Sequence, residues 1–179
     1  MEEIDFLNPN KTYFYKGFKI TPPSYWIKEF LNAVNQLSSE RRALLFLNQT
    51  NAELLFKTKA FRNVKSFRFE KNGRGMYWRI TKPEGSENAW GLDVFNPDHG
   101  GINATDFVRA IPTYMNLIYQ FKDFFKCKKM RAIVLRDNDQ SIRMCQILVE
   151  KNYLKVEAQL KKDIYINGKD RDLVYFNVV

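Results

Sequence analysis

From Val64 onward the apolar residues of this chain leave a helical spacing for a period of two, and three strand-like segments follow one another before helix returns. Lys65, Phe67 and Phe69 fall on one face and Ser66, Arg68 and Glu70 on the other, the alternation of a strand with one side buried. Lys71-Asn72-Gly73 reads as a hairpin turn and Met76–Ile80 as the returning strand, because Asn-Gly supplies the positive φ that a tight turn needs. Pro83–Glu87 is a loop, and Ala89–Phe95 makes the third strand of a meander.

Asn96–Gly101 breaks that strand, and Thr113–Lys126 is a strongly apolar helical stretch. Arg131–Arg136 has the look of a short buried strand, and Ser141–Glu150 that of a helix with Ile142, Cys145, Leu148 and Val149 on its apolar side. Strands at Leu154–Leu160 and Ile164–Ile166 lead to Asn167-Gly168, the strongest short hairpin signal, and Leu173–Val178 closes the chain. Before the meander, aromatic-rich Tyr13–Ile20 reads as one strand stopped by Pro22-Pro23. Ser24 is then a helix cap, and two helices follow, the first carrying Ile27, Phe30, Leu31 and Val34 on one stripe. The predicted order is β-α-α-β-β-β-α-β-α-β-β, in one domain spanning 1–179, a length that suits a single core.

The net charge of +9 is concentrated. Lys57, Lys59, Arg62, Lys65, Arg68, Lys71, Arg74, Arg79 and Lys82 are opposed within their segment by Glu70 alone, and a second cluster lies between Lys122 and Arg136. Such density suits an anionic partner, whether nucleic acid, acidic protein or phosphorylated cofactor, and equally a solvated basic surface. No apolar run reaches the ~20 residues of a membrane span. The start lacks the features of a secretory signal, and Cys127 and Cys145 suit a reducing compartment, so a cytoplasmic protein is expected. His99 is the single histidine, which argues against a zinc site.

Three stretches in order carry a resemblance. Asp137-Asn138-Asp139-Gln140-Ser141-Ile142, then Glu150-Lys151 with Lys155-Val156-Glu157, then Asp163–Lys169 with Asp172 and Tyr175 resemble the closing half of the GNAT superfamily of N-acetyltransferases, in the branch containing ribosomal-protein N-acetyltransferases. The resemblance implies an α/β (α+β) GNAT-like fold, with a mixed, mostly antiparallel twisted sheet of about seven strands and about four helices. It also implies acetyl-CoA as cofactor. The family holds the diphosphate on a glycine-containing turn at a helix N-terminus, where backbone amides are unpaired. Here that turn is Pro97–Ala104, with Gly100, Gly101 and Asn103 as its binding residues, although Asp98 stands where the family has Arg or Gln. With the helix expected to begin near Ala110–Pro112, Pro112 at its first position, the loop is longer than usual and Arg109 supplies the missing cation. Val94 and Phe95 would offer backbone to the pantetheine arm, and Asn138 is the family position that bonds the same arm.

For the chemistry, the family often uses a carboxylate on its fourth strand as base and a tyrosine on its fourth helix as acid. Ala89 occupies the usual glutamate position, which leaves Glu87 and Asp93 as candidate bases, each otherwise a surface carboxylate. Counting seven from Asn138 reaches Cys145, either a thiol acid or a small buried apolar residue. The leading reading is acetyl transfer to a primary amine of a protein N-terminus, polyamine, amino sugar or similar molecule. The second is a catalytically lapsed GNAT-fold module that grips nucleic acid through its basic 57–82 segment, with Phe61, Phe67, Phe69, Tyr77 and Trp78 as stacking groups.

Overall fold

A two-residue turn splits the aromatic start of the chain into a hairpin, where a single strand over Tyr13–Ile20 was expected. Lys16 and Gly17 both take positive φ, 47° and 80°, and separate β1 (Tyr13–Tyr15) from β2 (Phe18–Thr21). Lysine at the first turn position is why the sequence does not announce it, since asparagine or glycine is the usual occupant. The computed structural model describes residues 11–44, 64–81, 89–95 and 104–179.

Ser24 lies in a single 3-10 turn, Pro23–Tyr25, and is not the helix cap expected of it. Trp26 takes the cap position without a side-chain cap bond, its indole N–H donating instead to the Thr21 carbonyl at 3.0 Å. Helices α1 (Ile27–Gln36) and α2 (Ser39–Leu44) follow, then β3 (Val64–Lys71), β4 (Arg74–Thr81) and β5 (Ala89–Phe95), the meander as read. Helix α3 (Ala104–Phe124) begins nine residues before the expected Thr113 and carries Pro112 in its interior. The proline faces solvent and forfeits one ladder bond, while Phe107, Ile111, Tyr114, Ile118 and Phe121 keep a continuous buried stripe on either side of it. Strand β6 (Lys129–Leu135), helix α4 (Asp139–Glu150), β7 (Leu154–Ile166) and β8 (Lys169–Val178) complete the chain. β7 is one strand across the expected break. Register shifts at Val156/Ala158 and Leu160/Ile164 absorb the extra residues of its charged middle.

The eight strands form one sheet in the order β1-β2-β3-β4-β5-β6-β8-β7, antiparallel throughout except where β5 meets β6. Period-two alternation sorts the side chains between two faces. Trp78, Leu92, Val134 and Phe176 pack with α3 and with Ile142 and Cys145 of α4 in the main core. Tyr77 turns the other way and closes a smaller core with Trp26, Phe30 and Val34 of α1, its ring centroid 4.9 Å from each of the Trp26 and Phe30 rings. Arg171, 3% exposed, holds α2 on that second face. Its guanidinium donates to Glu40 Oε1 and Asp137 Oδ2, both at 2.6 Å.

Where β3 turns into β4 the strands approach too closely for a side chain. A Cβ on Gly75 would sit 2.9 Å from the Phe69 carbonyl oxygen, and backbone in a paired sheet gives way reluctantly. Gly75→Ala is expected to lower stability by about 1–3 kcal/mol, read as a shift in the urea midpoint at constant slope.

Candidate functional site

The parallel seam at the centre of the sheet is three residue pairs long: Ala89↔Lys129, Trp90↔Met130 and Gly91↔Arg131. Beyond it β5 stays with β4 as far as Tyr77↔Phe95, and β6 stays with β8 as far as Leu135↔Leu173. The two strands therefore part, and from Leu92 the β5 edge facing β6 has no ladder partner among the described residues. Unpaired backbone donors and acceptors in a sheet interior are costly unless something bonds them, which makes this edge a template for an extended ligand. The seam is fixed from the β6 side. Glu157 accepts from Arg131 Nε and Nη2 at 2.6 and 2.9 Å and from the Lys129 ammonium. The Arg131 bond, then the Lys129 bond, hold the Glu157 carboxyl down at about 2.

A cavity of about 150 Å³ fills the gap. Leu92 and Val94 of β5 and Ala132 and Val134 of β6 face the α3 and α4 side, where Phe107, Ile111, Tyr114 and Cys145 close it. Asp93, Ile133, Arg41 and Leu44 line it from the α1 and α2 side, so the opening passes through the sheet and joins its two faces.

Each expected residue now has a place. Val94 is on the cavity wall, 38% exposed, and Phe95 ends β5. Asp93 is on the wall too, and Arg79 donates to its Oδ2 through Nε at 2.8 Å and Nη2 at 2.7 Å. Both donors land on one oxygen, which leaves Oδ1 to accept from a third. Asn138 is buried on the wall, caps α4 by accepting from the Ser141 N–H, and donates to the Leu44 carbonyl at 3.0 Å. Its side chain is thus engaged in joining α4 to α2, and one amide hydrogen remains for a ligand. Cys145 faces the cavity from α4, where burial pushes its thiol up to about 12, a poor proton donor near neutral pH. Arg109 is exposed in the second turn of α3. Because α3 starts at Ala104, the expectation of a lengthened loop ending near Pro112 is overturned. Glu87, Gly100, Gly101 and Asn103 lie outside the described residues.

Two wall residues carry polar atoms that the sequence did not single out. The Tyr114 hydroxyl and the Trp78 indole N–H are buried without a hydrogen-bond partner among the described residues, and their rings lie 5.3 Å apart. Tyr114 was one more apolar residue of a helical stripe, and Trp78 one of several aromatics among cations. Among the described residues no group of three or more His, Cys, Asp or Glu is arranged to hold a metal, and no helix is long and apolar enough to cross a membrane.

No family model and no curated protein matches this sequence. Solved structures do match its shape. A microcin C7 self-immunity acetyltransferase in complex with acetyl-CoA and AMP superposes with a TM-score of 0.68 at 14% identity, over 97% of this chain and 98% of that one. Spermidine N-acetyltransferase from Vibrio cholerae, in complex with CoA and spermine, gives 0.66 at 14% over 92% and 96%. A putative ribosomal-protein-serine acetyltransferase from Vibrio cholerae gives 0.64 at 10% over 96% and 99%. The chain has the GNAT acetyltransferase fold.

Two measurements follow from this geometry. Both thiols are buried, and at pH 8 a thiol held at about 12 carries on the order of a thousandfold less thiolate than a free cysteine. Cys145 should resist a chromogenic disulfide until denaturant is added. Glu157 is lowered from its unfolded value, so its contribution to stability is present above about pH 4.3 and is lost as pH falls toward 2. Glu157→Gln should flatten the acid side of a melting-temperature profile in that window.

Proposed function

We propose that this chain, built on the GNAT fold, is an acetyl-CoA-dependent N-acetyltransferase acting on a primary amine by direct transfer. The observation that carries the reading is the parting of β5 from β6 after Gly91, which opens an apolar passage through the sheet beside an unpaired strand edge. The residues present fit such a cofactor. An extended arm bearing amides finds backbone partners along 92–95, a thioester finds the apolar walls of Leu92, Val94 and Ala132, and the glycine-containing segment 97–103 leads straight into α3. Amides at the start of a 21-residue helix favour a diphosphate, and Gly100, Gly101 and Asn103 are the positions that would let the backbone approach it. The structures of similar shape crystallised with acetyl-CoA or CoA support the same occupant.

Bound there, acetyl-CoA supplies an acyl carbon joined to a thiolate that leaves tolerably near neutral pH. The chain supplies position and a proton acceptor. Asp93 is the candidate base in preference to Glu87, because it stands on the passage wall on the side away from α3, with Oδ1 open to an ammonium. It draws the amine toward the gap and takes the proton lost as the new carbon–nitrogen bond forms, while Arg79 fixes its orientation. No acid is assigned to Cys145, whose thiol holds its proton too tightly.

The nucleic-acid module is the weaker reading, because four of the five aromatics it needs are inside. Phe69, Tyr77 and Trp78 are buried and Phe67 packs against the core, which removes them as a stacking platform, while Phe61 lies outside the described residues. The amine itself is open, since the similar proteins are named for a polyamine, a ribosomal protein and a microcin.

Calorimetry with acetyl-CoA tests the assignment. Binding is expected to persist in moderate salt, and Asp93→Asn to lower thiol release with an amine by about a hundredfold or more while heats of cofactor binding persist. Absence of cofactor binding to the wild-type chain would sink the reading.

A further inference from the structure

Helix α2 brings Arg41 and Leu44 to the passage on the side where Asp93 stands, yet little of the helix itself keeps it there. Six residues are too few to stay helical alone in water, and of them Ala43 is the one buried. Three of its ties end on a neutral acceptor and lie at 3.0 to 3.2 Å: Asn167 on the Ser39 carbonyl, Asn138 on the Leu44 carbonyl, and Arg41 on Gln140. The fourth is of another kind.

Arg171 of β8 reaches two carboxylates that belong to different elements. Nη2 donates to Glu40 Oε1 and Nη1 to Asp137 Oδ2, both at 2.6 Å, and such charge-assisted bonds are roughly twice as strong as neutral ones. The Arg171 side chain is 2% exposed, against 51% for Glu40 and 54% for Asp137, so the cation lies inside and the carboxylates at the surface. Asp137 adjoins Asn138, whose amide holds the far end of α2 through Leu44. Both ends of the helix are thus moored to adjacent residues of one turn between β6 and α4. The mooring at its start is two like charges with a guanidinium joining them. The bond from Arg171 holds the Glu40 carboxyl below its usual range, with Lys169 a lesser contributor.

This arrangement has a sign. With the cation in place α2 is drawn to the turn. Without it, Glu40 and Asp137 are left as neighbouring like charges that push α2 away. A side chain that merely filled space would produce neither effect.

We infer that Arg171 is a positioning residue: by bridging Glu40 and Asp137 it sets α2, and with it Arg41 and Leu44, against the Asp93 side of the passage, so that loss of the bridge impairs the amine and spares the thioester. The consequence for the amine rests on the proposed acyltransferase reading; the bridge itself does not.

Trypsin tests the bridge, because Arg41 and Arg42 lie within α2 and become cleavable as the helix opens. Cleavage after these residues in the native chain, followed by mass spectrometry, is expected to quicken about tenfold or more in Arg171→Met. Arg171→Lys should fall between the two, since it keeps the charge and loses the fork. Glu40→Gln is expected to quicken cleavage in the wild-type background and to slow it in Arg171→Met, where it removes one of two neighbouring like charges. Arg171→Gln is the second cation-free background, should Arg171→Met fail to fold. Calorimetric affinity for acetyl-CoA should stay within about twofold of wild type in Arg171→Met, whereas KM for spermidine, glucosamine or an alanyl peptide amide, whichever the chain acetylates, should rise about tenfold. Cleavage unchanged by loss of the cation, or Glu40→Gln acting in one direction in both backgrounds, overturns the inference. Acetyl-CoA affinity that falls in step with cleavage overturns its restriction to the amine side. Failure of the wild-type chain to bind acetyl-CoA sinks the acyltransferase reading and leaves the cleavage rates to decide the bridge.

Discussion

Everything distinctive in this protein follows from a parallel seam that stops too soon. A strand in the middle of a sheet ordinarily pairs along its length on both sides, because backbone groups left over in an interior have no water to turn to. β5 does so with β4 and abandons β6 after three residues. Glu157 anchors Lys129 and Arg131, two of the three β6 residues in the seam, and thereby fixes the apex of the opening. The divergence leaves an unpaired edge, an apolar passage, and a route between two faces that a closed sheet would keep apart.

The two faces have different chemistry. On the α3 and α4 side the passage is walled by large apolar side chains continuous with the main core, so a group there is shielded and left with backbone as its polar partner. On the α1 and α2 side Asp93, Arg79 and Arg41 bring charge to the opening. On the proposed acyltransferase reading, a donor that dislikes hydrolysis belongs on the first side and a charged acceptor on the second, and the gap is where they would meet.

How much of this was legible depended on how local the cause was. The meander and the Asn72-Gly73 and Asn167-Gly168 turns are decided by neighbours in sequence, and they appear as read. The Lys16-Gly17 turn was missed because its first residue is one that rarely takes positive φ. The start of α3 was misplaced because Pro112 is a strong local stop that a buried stripe on both sides overrides. Asp93, Val94, Asn138 and Cys145 line one cavity, from opposite faces of the sheet, but Arg79's grip on Asp93 and Asn138's tie to Leu44 depend on cross-strand and helix-to-helix pairs with no signature along the chain. Tyr114 was legible only as one residue of a helical apolar stripe, and Trp78 was read as a stacking group among cations, where the fold instead buries it against Tyr114.

The attachment of α2 has a consequence for adaptability. Of its six residues one, Ala43, is buried, and what secures it is polar: Glu40 on Arg171, Ser39 on Asn167, the Leu44 carbonyl on Asn138, Arg41 on Gln140. Such ties weaken with ionic strength and exchange readily with solvent, whereas the aromatic core beneath α3 responds to neither. The rim of the passage on this side is therefore the part most easily rebuilt, by substitution or by local fraying, without disturbing the hydrocarbon scaffold beneath α3.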